Sequence, residues 1–175
     1  MSTFGKIMKH LIIDGYNVIF QAEPYASLAK AGEWDSARDA LISDIASFVK
    51  PEFQVTVVFD GTHNPQPERD PEDILGVTVL FSSYGKTADS VIERLAKQSG
   101  ADAVSCEIVS SDAAVQWTSL GAGVIRRSAV EFAESLHFAY REYERDRDVP
   151  SSHSTIIERI SPEARVLLKK IRDGQ

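Results

Sequence analysis

Cysteine, long apolar runs and positive charge are all scarce in this chain of 175 residues. Cys106 is the single cysteine, which excludes an intrachain disulfide and any zinc site that needs several cysteines. No segment approaches the ~20 apolar residues that a membrane span requires, and the N-terminus lacks the form of a secretory signal. We therefore expect a cytoplasmic protein without a membrane as a partner.

The balance of charge argues against simple electrostatic binding of nucleic acids. Asp and Glu number 26 and Lys and Arg number 19, which makes the formal net charge −7. Proteins that bind a phosphate backbone normally carry a surplus of Lys and Arg. A role with nucleic acids would therefore depend on a local group of basic residues or on metal ions. The length and the hydrophobic content of 43% are typical of one soluble globular domain.

Strand and helix patterns alternate along the chain, which predicts an α/β fold with a mostly parallel central sheet and helices on both faces. The predicted strands cover residues 10–14, 54–60, 77–81, 107–110 and 124–125. The predicted helices cover residues 35–50, 88–100, 112–120 and 128–146, with a linker at 150–154 and a short last helix from Ser161. Sheets of this kind bind their ligands outside the carboxyl ends of the strands.

Four acidic residues are predicted to lie at that edge of the sheet. Asp14 and Asp60 end the first two strands, and Asp112 follows the strand at 107–110. Asp89 lies in the first turn of the helix that follows Thr87. Carboxylates gathered in one place raise one another's pKa unless they share a cation. The pattern therefore predicts a Mg²⁺ site, where the metal activates water and holds a phosphoryl oxygen.

Each acid alone has a simpler explanation. Asp followed by Gly, as at Asp14 and Asp60, is a common turn sequence, and Asp at a helix start is favoured by the helix dipole. Glu93, one turn beyond Asp89, either lies on a solvated face beside Lys97 or serves as an outer metal ligand. The placement of four acids at one edge favours the metal site.

Two other kinds of phosphate chemistry fit the sequence less completely. Gly85-Lys86-Thr87 lies between a strand and a helix, as in a nucleotide-binding loop, but Leu80 stands where the first glycine of that motif belongs. ATP binding through Lys86 is kept as an alternative. A phosphatase with an aspartate nucleophile would need a second acid two residues after Asp14, where the chain has Tyr16.

Basic and aromatic residues accompany the predicted acids. Arg126 and Arg127 follow the last predicted strand, and Lys86 and Arg38 flank other segments of the same edge. These four side chains could bind a phosphate backbone beside the metal. Tyr16 either packs in the core or stacks on a base.

The motifs together resemble the bacterial YacP-like NYN-domain proteins. The resemblance rests on IDGYNVI, SARDALI, VVFDG, GKTADSVIERLA, VSSDAAVQWTSLGAGVIRRSA and ISPEARVLLKKIRDG, in this order from Leu11 to Gly174. NYN domains are similar to PIN domains, which are Rossmann-like three-layer α/β sandwiches with an acidic pocket for Mg²⁺ or Mn²⁺. The resemblance implies an endoribonuclease, in a branch of the family that acts on mRNA at the ribosome.

The resemblance also implies roles for particular residues. The metal acids would be Asp14, Asp60, Asp89 and Asp112, and Asn17 would be the asparagine of the GYN signature. Glu93 is added as an outer ligand from its spacing to Asp89 alone. Arg38, Arg126 and Arg127 match basic positions of the family, and with Lys86 and Tyr16 from the sequence pattern they are expected to bind the RNA. We expect hydrolysis by a metal-activated water, with Asn17 holding the scissile phosphate or a metal-bound water.

The resemblance divides the chain into three parts. Residues 1–9 form an N-terminal extension, residues 10–148 form the NYN/PIN-like nuclease domain, and residues 149–175 form a linker and a helix packed on the same domain. The alternative function is a non-catalytic module that binds RNA or the ribosome on a nuclease-like fold. The oligomeric state stays open.

Overall fold

The computed structural model describes residues 9–50, 52–61, 70–102, 104–111 and 123–148. The chain divides into two compact units, Met1–Tyr140 and Arg141–Gln175. Residues 141–148 are the described part of the second unit. The predicted boundaries at residues 9 and 149 stay a prediction, because the segments beyond them lie outside the described residues.

The described residues contain six strands and five helices. The strands are β1 (Lys9–Asp14), β2 (Phe53–Phe59), β3 (Glu72–Ile74), β4 (Val77–Phe81), β5 (Ser105–Val109) and β6 (Val124–Arg127). The helices are α1 (Gly15–Gln21), α2 (Tyr25–Lys30), α3 (Trp34–Phe48), α4 (Ala88–Ala101) and α5 (Ala129–Asp148). Among the described residues, no helix is both long enough and apolar enough to cross a membrane.

The strands form one sheet in the order β3-β4-β2-β1-β5-β6. Among the described strands, β3 alone runs antiparallel to its neighbour. Strands β2 and β4 follow one another on one side of β1. Strands β5 and β6 lie on the other side of β1. The order reverses between β1 and β5, and the carboxyl end of β1 lies at this switch point, where α/β sheets bind ligands.

Helices cover both faces of the sheet, as predicted. On one face, the apolar stripe of α4 packs on Ile12, Val58 and Ile108. On the other face, the three helices between β1 and β2 pack with the first part of α5 on Leu11, Ile13 and Val57. Strands of a parallel sheet are buried on both faces, which explains their nearly continuous apolar sequences. The mostly parallel three-layer α/β fold is confirmed.

Two predicted helix starts are confirmed in detail. Thr87 Oγ1 accepts a hydrogen bond from Ser90 N at 3.3 Å, which caps α4. At α5, Ser128 Oγ accepts from Glu131 N at 3.2 Å, and Glu131 Oε2 accepts from Ser128 N at 3.0 Å. This reciprocal pair is the capping box that the sequence predicted.

Three short elements, α1, α2 and β3, were not predicted. Helices of 7 and 6 residues are too short to be stable alone, so their formation depends on tertiary packing. In α2, for example, Tyr25 is fully buried and its hydroxyl donates a hydrogen bond to Asp44 Oδ2 of α3. The predicted helix at 112–120, the linker at 150–154 and the helix from Ser161 lie outside the described residues.

Candidate functional site

Asp14 ends β1 and is the N-cap residue of α1. Its Oδ1 accepts a hydrogen bond from Asn17 N at 3.1 Å, and its Oδ2 accepts one from Asn17 Nδ2 at 2.5 Å. The residue is only 5% exposed. The strand therefore passes directly into a helix at this point, so the alternative explanation of a simple turn at Asp14-Gly15 does not apply, and the carboxylate is held in one orientation.

Gly15 makes this direct passage possible. A Cβ added to Gly15 would lie 2.3 Å from Cε1 of Phe59, whose ring is fully buried at the end of β2. Any larger residue would collide with that ring. The glycine that follows Asp14 is thus required by packing between β2 and α1.

Asp60 follows β2 and reaches the start of α4. Its Oδ2 accepts a hydrogen bond from Ala88 N at 3.4 Å. The adjacent Gly61 donates its N–H to Ser82 Oγ at 2.8 Å, and a Cβ on Gly61 would lie 2.1 Å from the Ser82 carbonyl oxygen. This close approach of two backbones aligns the ends of β2 and β4 and directs Asp60 toward α4.

The three described acids of the predicted set act on one another electrostatically. Burial raises the pKa of Asp14, and this is the largest effect on it. The hydrogen bonds from Asn17 lower that pKa, whereas the negative charges of Asp89 and Asp60 raise it further. Asp14, Asp60 and Asp89 therefore form one negatively charged region, which we call the acidic edge.

The acidic edge has the right chemistry for a divalent cation. Carboxylate and amide oxygens are the ligands that Mg²⁺ and Mn²⁺ prefer, and a cation would relieve the repulsion that raises the pKa of Asp14. Within the described ranges, however, no group of three or more His, Cys, Asp or Glu side chains is arranged to hold a metal ion. The three acids thus interact through their charges without converging on one point. Asp112, the fourth predicted ligand, lies outside the described residues.

Glu93 has a different partner from the predicted metal. Its Oε1 lies 2.7 Å from Lys97 Nζ, in an ion pair between residues four apart on α4. This is the solvated pair that the sequence offered as the simpler explanation. A role as an outer metal ligand stays a prediction.

The predicted basic residues lie in different surroundings. Lys86 is exposed in the loop between β4 and α4, and Arg126 is exposed on β6. Arg127 is half-buried, and its Nε lies 2.8 Å from Glu107 Oε1. These two residues also line a cavity of about 200 Å³ between the sheet, α3 and α5, which Asp14, Asp60 and Asp89 do not line. Lys86 and Arg126 are therefore more open to solvent than Arg127.

Arg38 contacts three residues of the protein itself. Its Nη1 donates a hydrogen bond to Tyr16 Oη at 2.9 Å, and its Nη2 forms an ion pair with Asp35. Its guanidinium also lies 5.8 Å from the centre of the Phe81 ring. The structure therefore joins Arg38 and Tyr16, both predicted to bind RNA, in one cluster next to Asp14.

Two aromatic residues in this cluster were missed by the sequence analysis. Phe20 and Trp34 both contact Tyr16, with ring centroids 6.4 and 5.9 Å away. The spacing of four residues between Tyr16 and Phe20 would have placed them on one face, had α1 been recognised. Trp34 comes from the first turn of α3, and no local sequence pattern links it to the other two.

Comparisons with known proteins agree with the fold and identify the family. Residues 11–173 match the model of the YacP-like NYN domain. The chain is 34% identical over 139 residues to the uncharacterized protein YacP of Bacillus subtilis, which covers 79% of this chain and 81% of that protein. This chain belongs to the YacP-like NYN domain family.

Solved structures of Rae1 (YacP) from Bacillus subtilis have a similar fold. A tryptophan-to-leucine variant matches with a TM-score of 0.64 and 33% identity, over 82% of this chain and 84% of that chain. A second Rae1 structure matches with a TM-score of 0.63 and 31% identity, over 95% of this chain and 96% of that chain. The fold is PIN-like, and membership of the family is consistent with a nuclease-type function related to RNA.

Proposed function

We propose that this member of the YacP-like NYN family is a metal-dependent endoribonuclease. The observation that carries the proposal is the state of Asp14: a buried carboxylate at the switch point, with its pKa raised by burial and by Asp89 and Asp60. Burying an acid beside other acids is unfavourable for stability alone. Perturbed carboxylates in such a position are typical of functional sites.

Asp14, Asp60 and Asp89 would hold the cation, with Asp112 and Glu93 as further proposed ligands. When bound, Mg²⁺ or Mn²⁺ supplies a Lewis acid that stabilises negative charge on a phosphoryl oxygen and favours ionisation of water. The carboxylates must then be ionised, and the two hydrogen bonds from Asn17 favour the ionised form of Asp14.

The proposed reaction is hydrolysis of an RNA phosphodiester. The oxygen of a water molecule attacks phosphorus in line with the 3′ oxygen, and the bond between phosphorus and the 3′ oxygen breaks. The water supplies the oxygen that the phosphate gains and the hydrogen that the 3′ oxygen gains. The products are a 5′-phosphate and a 3′-hydroxyl. Lys86 and Arg126 would bind the phosphate backbone, and Asn17 would orient Asp14 and the scissile phosphate.

We further propose that the substrate is mRNA presented by the ribosome. The net charge of −7 supports this, because an acidic protein has little general attraction for RNA and gains from a partner that presents the strand. Electrostatic repulsion would limit cleavage of naked RNA. The proposal places the protein in the cytoplasm with the ribosomes.

A non-catalytic module that binds RNA or the ribosome is the second candidate. It is favoured by one observation: the described acids do not converge as a group of three that could hold a metal ion. Both candidates predict association with RNA, but only the nuclease predicts new RNA ends that depend on Asp14.

The deciding experiment compares wild type, Asp14→Asn and Asp39→Asn on polysomes and on deproteinised RNA, with Mg²⁺ or with a chelator, and maps new 5′ ends. Asp39 is an exposed acid of α3, so its variant controls for the loss of one charge. We expect new 5′-phosphate ends with wild type and Asp39→Asn, and loss of most of them with Asp14→Asn or chelator. Full activity of folded Asp14→Asn would refute the assignment of the site. If wild type made no new ends on either substrate, the binding module would be the better conclusion.

A further inference from the structure

Three aromatic side chains form an exposed surface beside the acidic edge. Phe20 is 61% exposed and Trp34 is 38% exposed, while Tyr16 is half-buried beneath them. We call Tyr16, Phe20 and Trp34 the aromatic shelf. Large aromatic side chains gain most from burial, so a group of them left open to solvent is typical of a binding surface.

The geometry of the aromatic shelf leaves ring faces open. Trp34 meets Tyr16 with an angle of 86° between the ring planes and meets Phe20 with an angle of 76°. In an edge-to-face contact one ring presents only its edge, so the contact leaves both faces of that ring uncovered. The exposed rings therefore offer flat surfaces on which another flat group can stack.

The aromatic shelf rests on a rigid support. The Tyr16 ring packs against the buried Phe59 ring at a centroid distance of 5.1 Å, and its hydroxyl accepts the hydrogen bond from Arg38. Rings already fixed before binding lose little conformational entropy when a ligand arrives. The Arg38 guanidinium, which is paired with Asp35, lies next to the rings.

The aromatic shelf is continuous with the acidic edge. Tyr16 lies between Asp14 and Asn17 in the first turn of α1, and Phe20 lies one turn further on. The same helix thus has the Asp14 carboxylate as its N-cap and carries two aromatic rings along its length. A strand that bound at Asp14 could extend along α1 onto the aromatic shelf.

We infer that the aromatic shelf stacks unpaired bases of the RNA strand that is cut at Asp14. This inference rests on the proposed function. Aromatic rings with a neighbouring arginine are the means by which proteins bind single strands without reading their sequence. Bases within a duplex already stack on one another and cannot offer their faces. A protein partner is the other occupant that the test distinguishes from RNA.

The test measures affinity for three labelled probes by fluorescence anisotropy in the presence of a chelator, so that no probe is cut. The probes are an oligoadenylate of about 12 nucleotides, its duplex with oligouridylate, and an abasic strand of the same length. The abasic strand keeps the phosphates and lacks the bases. The wild type should bind the single strand about 10-fold more tightly than either of the other two.

Variants of the aromatic shelf identify the surface responsible. Phe20→Leu and Trp34→Leu should each weaken binding of the oligoadenylate about 10-fold, without changing binding of the abasic strand. Phe138→Leu is the matched control, since Phe138 is 58% exposed on α5 and is not part of the aromatic shelf. In the wild type, the oligoadenylate should also quench a tryptophan emission that Trp34→Leu lacks. Circular dichroism confirms that each variant is folded.

The inference and the proposed function fail in different ways. Equal binding of single strand, duplex and abasic strand, or no binding of any of them, would overturn the inference. So would unchanged binding by both shelf variants, or loss of ribosome binding in these variants with RNA affinity intact, which would indicate a protein partner. None of these results alters the dependence of cleavage on Asp14. Conversely, selective binding by the aromatic shelf without any cleavage would support the inference and refute the nuclease.

Discussion

The side-chain amide of Asn17 donates a hydrogen bond to Asp14 Oδ2 at 2.5 Å, while the backbone N–H of the same residue donates to Asp14 Oδ1 at 3.1 Å. One residue thus binds both oxygens of the carboxylate. The backbone bond is an ordinary helix cap, which Asn at position 14 could also provide. The charge of Asp14 is therefore not needed for the cap, and its presence in a buried position is best explained by function.

Replacing Asp14 by Asn should stabilise the fold in the absence of metal. The folded-state pKa of Asp14 is raised above the ordinary 3.8, so the folded protein holds this proton more tightly than the unfolded chain. The stabilisation that the folded state gains from this tighter proton binding is complete below pH 3.8 and is lost as the pH rises through the folded-state pKa. At neutral pH the variant should melt about 2–4 °C higher than the wild type, the shift that 1 kcal/mol produces in a protein of this size.

Calorimetry between pH 4 and pH 7 checks this prediction, and Asp39→Asn again serves as the control. The difference between Asp14→Asn and wild type should grow as the pH rises above 3.8. A melting temperature of Asp14→Asn well below that of the wild type at pH 7 would contradict it.

Divalent metal should stabilise the wild type and leave Asp14→Asn nearly unchanged. A ligand that binds only the folded state at ten times its Kd stabilises by about 1.4 kcal/mol, which corresponds to about 3–6 °C. We expect Mg²⁺ or Mn²⁺ to raise the melting temperature of the wild type by this amount and to have little effect on Asp14→Asn. Potassium chloride of equal ionic strength controls for screening. Equal shifts in both proteins would argue against a metal at the acidic edge.

Gly15 and Phe59 should be energetically coupled. A methyl group on Gly15 would overlap the Phe59 ring, so Gly15→Ala should lower the free energy of unfolding by about 1–3 kcal/mol. In the double variant Gly15→Ala, Phe59→Leu, the smaller side chain makes room for the methyl group. Urea denaturation of all four proteins in this cycle should give a double variant that is more stable than the two single losses together predict. Simple additivity would contradict the contact.

His10 should make the protein less stable at mildly acidic pH. Burial lowers its folded-state pKa, and its two ring nitrogens bond with Ser99 Oγ at 2.7 Å and Thr56 Oγ1 at 2.9 Å. Below pH 6.5 the unfolded chain binds a proton that the folded protein does not, so stability falls as the pH falls. The slope is at most about 1.4 kcal/mol per pH unit.

Urea denaturation of wild type and His10→Gln from pH 7.5 to pH 5 isolates this effect. Gln can make hydrogen bonds but does not titrate, so the variant should be less stable at pH 7.5 and should lose less stability on acidification. Parallel curves for the two proteins would show that another group is responsible.

Cys106 should be unreactive in the native protein. Burial is the main cause that raises the pKa of its thiol from 9.0 to about 11. At pH 8 the raised pKa reduces the fraction of reactive thiolate about 100-fold, and burial also keeps reagents away from the sulfur. Labelling by a maleimide should therefore be complete only after the addition of guanidinium chloride. Rapid labelling without denaturant would contradict the burial of this residue.

Local sequence patterns were sufficient for the parts of this fold that depend on periodicity and capping. Buried strands such as β2 are mostly apolar and rich in valine, and α4 and α5 each carry an apolar stripe with a capping residue at the start. The acids were also visible, because Asp14 ends β1, Asp60 directly follows β2 and Asp89 lies in the first turn of α4. These features depend on neighbours in the chain, so the sequence alone determined the α/β class and the position of Asp14, Asp60 and Asp89 at one edge of the sheet.

Only the tertiary structure decided which side chains meet there. The short helices α1 and α2 exist because of packing, and the glycine at position 15 reflects the Phe59 ring of another strand. Arg127 pairs with Glu107 across two strands, and Trp34 joins Tyr16 and Phe20 from a separate helix. Contacts between segments distant in the chain leave no periodic trace in the sequence. For that reason the acids could be predicted one by one, whereas the aromatic surface beside them became visible only in the folded protein.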